Sequence, residues 1–165
     1  MRKSASKGTV VIVDDDPKIR RIYTDFLEAQ DYTVMAAGSG IEGINLVTRV
    51  RPKLVLLDIM MPDLDGLETC RRMREVLGTR VPIVFLTALD TAEHVRKGLL
   101  AGGDDYLLKS SQLSSLIKRV EAWSAWDVRG SADRRRKRAL EEVGAVGSDG
   151  GGGDVFWVDD GPSGP

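Results

Sequence analysis

Five short runs of apolar and β-branched residues, at 10–13, 33–36, 54–57, 83–86 and 105–108, alternate with amphipathic stretches long enough to be helices. Most of these runs are apolar throughout, as a strand must be when both faces of its sheet are covered. Strictly alternating strand and helix patterns predict a parallel sheet clothed on both sides. Right-handed crossovers then make a doubly wound α/β sheet the default topology.

The intervening stretches each show one apolar stripe at helical spacing. Ile19, Ile22, Tyr23, Phe26 and Leu27 form the first, and Ile41, Ile44, Val47 and Val50 the second. Leu67, Cys70, Met73 and Leu77 form the third, Val95 and Leu99 a shorter fourth, and Leu113, Leu116, Ile117, Val120 and Trp123 the fifth. Asp16-Pro17, Ser39 and the Ser110-Ser111 pair suit helix starts, because their side chains can accept from free backbone amides and proline tolerates the first turn.

A length of 165 residues allows one domain with a true core and a tail. Residues 1–8 read as an N-terminal extension and 9–126 as the domain. Residues 127–165 read as a flexible Gly-rich tail, with room for a short basic helix near 131–143. A formal net charge of -1 gives no overall pull towards nucleic acid or an anionic membrane. Cys70 is the only cysteine, which excludes an internal disulfide framework or thiolate cluster and points to a reducing compartment. The basic opening is followed by an apolar run cut off by three aspartates, so it fails as a signal peptide. No run approaches the roughly 20 apolar residues of a membrane span. A cytoplasmic protein is the expectation.

Charged residues stand just past the ends of the apolar runs. Asp14, Asp15 and Asp16 follow the first, Asp58 the third, with Asp63 nearby, and Lys109 follows the fifth. They can share a pocket only if the strands are parallel and present a common edge, which is where open α/β sheets bind ligands. Clustered acids favour a divalent cation, and an adjacent lysine favours a phosphoryl group. A carboxylate can accept a phosphoryl group when leaving-group charge is neutralised, and Thr87 could donate its hydroxyl to a phosphoryl oxygen.

Four segments together carry a specific resemblance: residues 11–17 (VIVDDDP), 56–66 (LLDIMMPDLDG), 85–88 (FLTA) and 102–109 (GGDDYLLK). In order and spacing they resemble the CheY-like receiver domain of two-component response regulators, here with no recognisable output domain. The resemblance implies a flavodoxin-like strand order 2-1-3-4-5 with five surrounding helices. It implies that Asp58 is the phosphoacceptor, and that magnesium is held by Asp15, Asp58 and the main-chain carbonyl of Met60, with Asp14 acting mostly through water. Thr87 would contact the phosphoryl group, Lys109 would bridge it to the acids, and Tyr106 would turn inward as Thr87 moves. The implied output is a changed surface over the fourth helix, fifth strand and fifth helix, through which a homodimer is also conceivable. The phosphodonor would be a sensor histidine kinase or a histidine phosphotransfer protein, and the signal would pass to a downstream protein target. Such a chain is no enzyme in the ordinary sense, since it catalyses only its own phosphorylation and dephosphorylation.

Ser110 departs from the family, where proline usually follows the lysine after a cis peptide bond. Without proline a cis bond costs about 2.5 to 4 kcal/mol, so a trans Lys109-Ser110 bond and an altered lysine approach are expected. Gly103 stands where alanine is commoner and is expected to loosen its loop. Apolar Met60 and Leu89, two positions past Asp58 and Thr87, would shield an acyl phosphate and slow its hydrolysis.

Several residues have plainer explanations. Asp16 reads as a helix cap, Asp63 and Asp65 as turn formers, Asp104 and Asp105 as loop residues, and His94 as a solvated helix residue. The basic run at 134–138 is followed by Glu141 and Glu142 at helical spacing and lacks any recognition motif, which disfavours specific nucleic-acid binding. The apolar island at 155–158 reads as a sticky segment. An aspartate-dependent phosphohydrolase is disfavoured because Met60 occupies the slot where such enzymes commonly carry a second acid. A nucleotide-binding domain is disfavoured because no glycine-rich phosphate loop follows the first run. A degenerate receiver that only binds proteins is disfavoured by the complete set Asp14, Asp15, Asp58, Thr87 and Lys109.

Overall fold

The structure is a computed structural model that describes residues 5–78, 81–88 and 91–125. The predicted tail, its basic run, the 155–158 island and Leu89 lie outside the described residues. Strands β1 (Thr9–Val13), β2 (Thr33–Ala37), β3 (Leu54–Leu57), β4 (Ile83–Thr87) and β5 (Asp105–Leu108) alternate with helices α1 (Pro17–Glu28), α2 (Gly40–Val50), α3 (Gly66–Leu77), α4 (Ala92–Leu100) and α5 (Leu113–Ser124). All neighbouring strands are parallel and the order is β2-β1-β3-β4-β5, the predicted doubly wound topology.

Because successive strand residues face opposite sides of a sheet, each apolar strand feeds two cores. Val11, Val13, Val55, Leu57, Ile83 and Phe85 pack against α2, α3 and α4 through Leu46, Val47, Cys70, Met73, Leu77, Val95 and Leu99. Val10, Ile12, Leu54, Leu56, Val84 and Leu86 pack against α1 and α5 through Tyr23, Leu27, Leu116, Val120 and Trp123. Each fully buried aliphatic or aromatic side chain contributes about 1.5 to 3 kcal/mol of transfer free energy. Among the described residues, no helix is long and apolar enough to cross a membrane.

Two predicted stripes are rotated from the expectation. Ile22 is 50% exposed and Ile41 53% exposed. In α2 the buried face runs through Gly40, Gly43, Leu46 and Val47. A Cβ at residue 43 would lie 2.7 Å from Val13, so the bare glycine lets the helix backbone close on β1 and turns Ile41 outward.

The predicted caps at Asp16 and Ser39 are present, accepting from the amides of Lys18 and Glu42. The Ser110-Ser111 pair does not cap α5: Ser111 N–H donates to the carbonyl of Leu108 in a turn, and Gln112 stands at the cap position without a side-chain hydrogen bond. The turn uses up the serine positions before the helix begins. At Gly103 the structure shows a packing reason for the glycine. It is buried, and a Cβ there would lie 2.5 Å from the ring of Phe85, so the ring fills the space an alanine would need.

The segment before β1 is tied down as well. Lys7 N–H donates to Asp31 O, its ammonium lies 3.4 Å from Glu121, and Ser6 Oγ lies 2.8 Å from Thr33 Oγ1.

Candidate functional site

Strand register assembles the site. Val13 pairs with Leu57, so the residues that follow, Asp14 and Asp58, emerge side by side from the same edge. Asp58 N–H donates to Val13 O at 2.9 Å and Asp14 N–H to Ala37 O at 3.1 Å, which extends the ladder into the acids themselves. On the other side Thr87 pairs with Leu108, and Lys109 N–H donates to Thr87 O at 2.8 Å. Residues far apart in sequence thus meet at one edge because parallel strands align their carboxyl ends.

The carboxylates of Asp14 and Asp58 are buried, while Asp15 is exposed, and each of the three offers an oxygen within 4.8 Å of the others. Lys109 Nζ lies 2.6 Å from Asp14 Oδ2 and 3.2 Å from Asp58 Oδ2. The lysine therefore reaches both acids, and with no cis peptide among the described residues it does so through a trans Lys109-Ser110 bond. The expected alteration of its approach does not keep it from either acid.

Backbone donors orient the carboxylates. Asp14 Oδ1 accepts from Asp16 N–H at 2.9 Å, and Met60 N–H lies 3.3 Å from Asp58 Oδ1. Asp14 Oδ2 is buried and, among the described residues, has no donor in hydrogen-bonding alignment, although the Lys109 ammonium lies 2.6 Å away. Gly66 brings the start of α3 onto this loop: a Cβ there would lie 2.0 Å from Asp58 O, which no side chain can occupy.

Three carboxylates share the pocket with the Lys109 ammonium and, behind Asp14, the Arg20 guanidinium, so with all three acids ionised the negative charge is not fully compensated. Burial, then the Asp14 charge, pushes the Asp58 pKa above the usual carboxylate value against the opposing pull of Lys109. Burial works to lower the Lys109 pKa, but its contacts with Asp14 and then Asp58 outweigh that and hold it above the ordinary lysine value. The misaligned Asp14 oxygen, the exposed Asp15 carboxylate and the excess charge together fit a hard divalent cation that retains water. Asp14, Asp15 and Asp58 are the side chains that could hold it.

Thr87 is fully buried at the end of β4. Tyr106 is buried on β5, its ring 6.4 Å from that of Phe85. Met60, by contrast, is 63% exposed at the mouth. Asp63 and Asp65 stay out of the site, Asp63 in a turn with positive φ and Asp65 capping α3 through Glu68 N–H. His94 joins the start of α4, where its ring Nδ1 lies 2.5 Å from the capping Thr91 hydroxyl.

One expectation is corrected: Asp105 stands on β5 rather than in a loop, and although Asp104 lies in the loop just before it, both are buried ionic anchors. Asp104 pairs with Arg74 and accepts from Ile83 N–H, while Asp105 Oδ2 accepts from Arg119 at 2.9 Å and from the Trp123 indole at 2.7 Å. Asp105 stands at the head of an apolar strand, and Arg119 and Trp123 are four apart on one helix face. Those two signals were available in sequence. Tyr23, a member of the first predicted stripe, is buried on α1 as that stripe requires, and its phenol is pushed up by burial while feeling both Lys109, which lowers it, and Asp14, which raises it.

Comparison with known proteins agrees with this geometry. The response regulator receiver domain matches residues 10–121. The response regulator MprA of Mycobacterium leprae is 42% identical over 113 residues, covering 68% of this chain and 49% of that protein. The chain spans about half the length of the curated relatives it matches. Among solved structures, the BeF3-activated N-terminal receiver domain of Klebsiella pneumoniae RstA is 33% identical, covers 72% of this chain and 99% of its own, and superposes with a TM-score of 0.67. A two-component response regulator of the LuxR family from Aurantimonas is 27% identical, covers 85% and 99%, and gives a TM-score of 0.70. With the acids, threonine and lysine on one edge of such a sheet, the chain belongs to the response regulator receiver domain family.

Proposed function

We propose that this receiver is a phosphorylation switch in a two-component phosphorelay, taking a phosphoryl group onto Asp58 from a histidine kinase or a histidine phosphotransfer protein. The observation that carries it is Lys109 lying between Asp14 and Asp58, with three carboxylate oxygens within 4.8 Å of one another. An Asp58 oxygen attacks phosphorus, the P–N bond to the donor imidazole breaks, and the electron pair leaves with the ring nitrogen. Thr87 donates its hydroxyl to a phosphoryl oxygen, and Lys109 supplies fixed positive charge to the oxygens that gain charge in transfer.

Magnesium, held by Asp15, Asp58 and the Met60 carbonyl with Asp14 behind water, would neutralise phosphoryl charge so that two anions can meet. The acid pair, the backbone N–H of Met60 and the lysine are then in place before the donor arrives. Response is read as movement of Thr87 followed by Tyr106 on the adjacent strand, altering the α4-β5-α5 surface that a protein target or a second receiver would contact. The chain turns over no separate metabolite and acts in the cytoplasm. A phosphohydrolase role lacks a second acid two residues past Asp58, where Met60 stands.

The test is incubation with a small acyl phosphate and magnesium, followed by intact-mass measurement. One phosphoryl group should add to the wild type and none to Asp58→Asn. Addition to both proteins, or turnover of a generic phosphate ester, counts against this reading.

A further inference from the structure

We propose that Arg20 is a positioning residue for the acidic pair, fixing the peptide that joins Asp14 to Asp15 so that the Asp15 carboxylate stays at the cation pocket; this rests on the magnesium reading above. Arg20 stands in the first turn and a half of α1, and its Nη1 donates to the main-chain carbonyl of Asp14 at 2.7 Å. The Asp14 amide is held on the opposite side by Ala37 O at 3.1 Å. The acid pair is therefore gripped by β2 at one backbone atom and by α1 at the next.

The choice of partner is informative. A guanidinium that served only to neutralise acids would fork onto a carboxylate, its best planar match. Arg20 makes no ion pair among the described residues and bonds a peptide oxygen instead. The Asp15 carboxylate for its part has no hydrogen bond or ion pair within the described residues, so its backbone is what sets its place. Space has been kept for the guanidinium: a Cβ on Gly38 would lie 3.1 Å from Arg20 Nη1, tighter than ordinary contact. Gly38 is itself pinned, its N–H donating to Glu42 Oε2 at 2.9 Å.

Charge and position make opposite demands. As a cation beside the pocket, Arg20 repels a metal ion, so removing it should tighten binding on Coulombic grounds alone. As an outer support for a ligand it should do the reverse, since losing such a partner costs about tenfold or more in metal affinity.

The experiment is calorimetric titration of the full, chelator-treated chain with magnesium chloride, alongside heat-unfolding midpoints in chelator. Arg20→Met, which keeps most of the apolar stem, is expected to weaken magnesium affinity about tenfold. Gly38→Ala, which crowds the guanidinium without removing its charge, is expected to weaken it by a smaller factor, and decides the matter alone should Arg20→Met fail to fold. Unchanged or tighter binding, or a lowered midpoint with unchanged affinity of the folded molecule, overturns the assignment. Absence of magnesium binding in the wild type overturns the pocket reading and the assignment with it.

Discussion

Lys109 Nζ lies 2.6 Å from Asp14 Oδ2. The ammonium is thus engaged by Asp14 as well as by Asp58, the residue proposed to accept phosphate. Lys109→Met leaves two buried carboxylates facing each other with nothing to balance them. Without magnesium the variant is expected to lose about 3 kcal/mol in urea unfolding, the cost of breaking a buried pair. Added magnesium should recover part of that loss, and phosphorylation by an acyl phosphate should slow on the order of a hundredfold.

The raised Asp58 pKa makes stability depend on pH in a definite direction. Burial and the Asp14 charge let the folded state hold the Asp58 proton more tightly than the unfolded chain does. That contribution is complete below the ordinary carboxylate value of 3.8 and is lost as pH rises through the higher folded value. At neutral pH Asp58 is therefore a destabilising charge. Asp58→Asn should raise the magnesium-free midpoint by a few degrees at pH 7 and forfeit most of the stabilisation that magnesium gives the wild type. Thermal scans in chelator and in magnesium, at acidic and neutral pH, check both halves.

For Lys109 the window is alkaline. Its folded pKa lies above 10.5, so its contribution is present below the unfolded value and fades as pH climbs through the folded one. A wild-type stability decline in that range should be smaller in Lys109→Met, measured by urea midpoints across the alkaline titration.

Asp105 fastens β5 to α5. Removing the indole donor with Trp123→Phe should cost about 1 to 2 kcal/mol, since the carboxylate keeps Arg119, whereas Arg119→Met should cost about 3 kcal/mol by leaving a buried charge unpaired. The double variant is expected to lose less than the sum, because both residues serve one oxygen. Urea unfolding of all four proteins provides the cycle, and simple additivity would count against a shared anchor.

Met60, exposed two residues past Asp58, is expected to shield a phosphoryl group there from water. We expect slow self-dephosphorylation in the wild type, and hydrolysis accelerated on the order of a hundredfold by Met60→Glu, whose carboxylate could orient an attacking water. Phosphate release after removal of the donor measures both. Decay of the wild type within seconds would refute the shielding.

Sequence alone settled the strand and helix order, since apolar runs too short for helices alternate with stripes of helical period. Strand-end positions also marked Asp14, Asp15, Asp16, Asp58 and Lys109, because parallel strands carry their carboxyl ends to one edge, and the family resemblance narrowed these and added Thr87 to give the set Asp14, Asp15, Asp58, Thr87 and Lys109. Tertiary packing decided what local pattern cannot encode. Whether Ile41 faces in or out depends on Gly43 meeting Val13, a contact between elements. Asp104 looks like any acidic turn residue until Arg74 arrives from α3, and the signals at Asp105, Arg119 and Trp123 become one anchor only when α5 packs on β5. Nothing in the local pattern singles out Arg20, whose partner is a carbonyl at the end of β1. Periodicity reports which side of an element is apolar, whereas the partner of a polar atom is fixed only when separate elements come together.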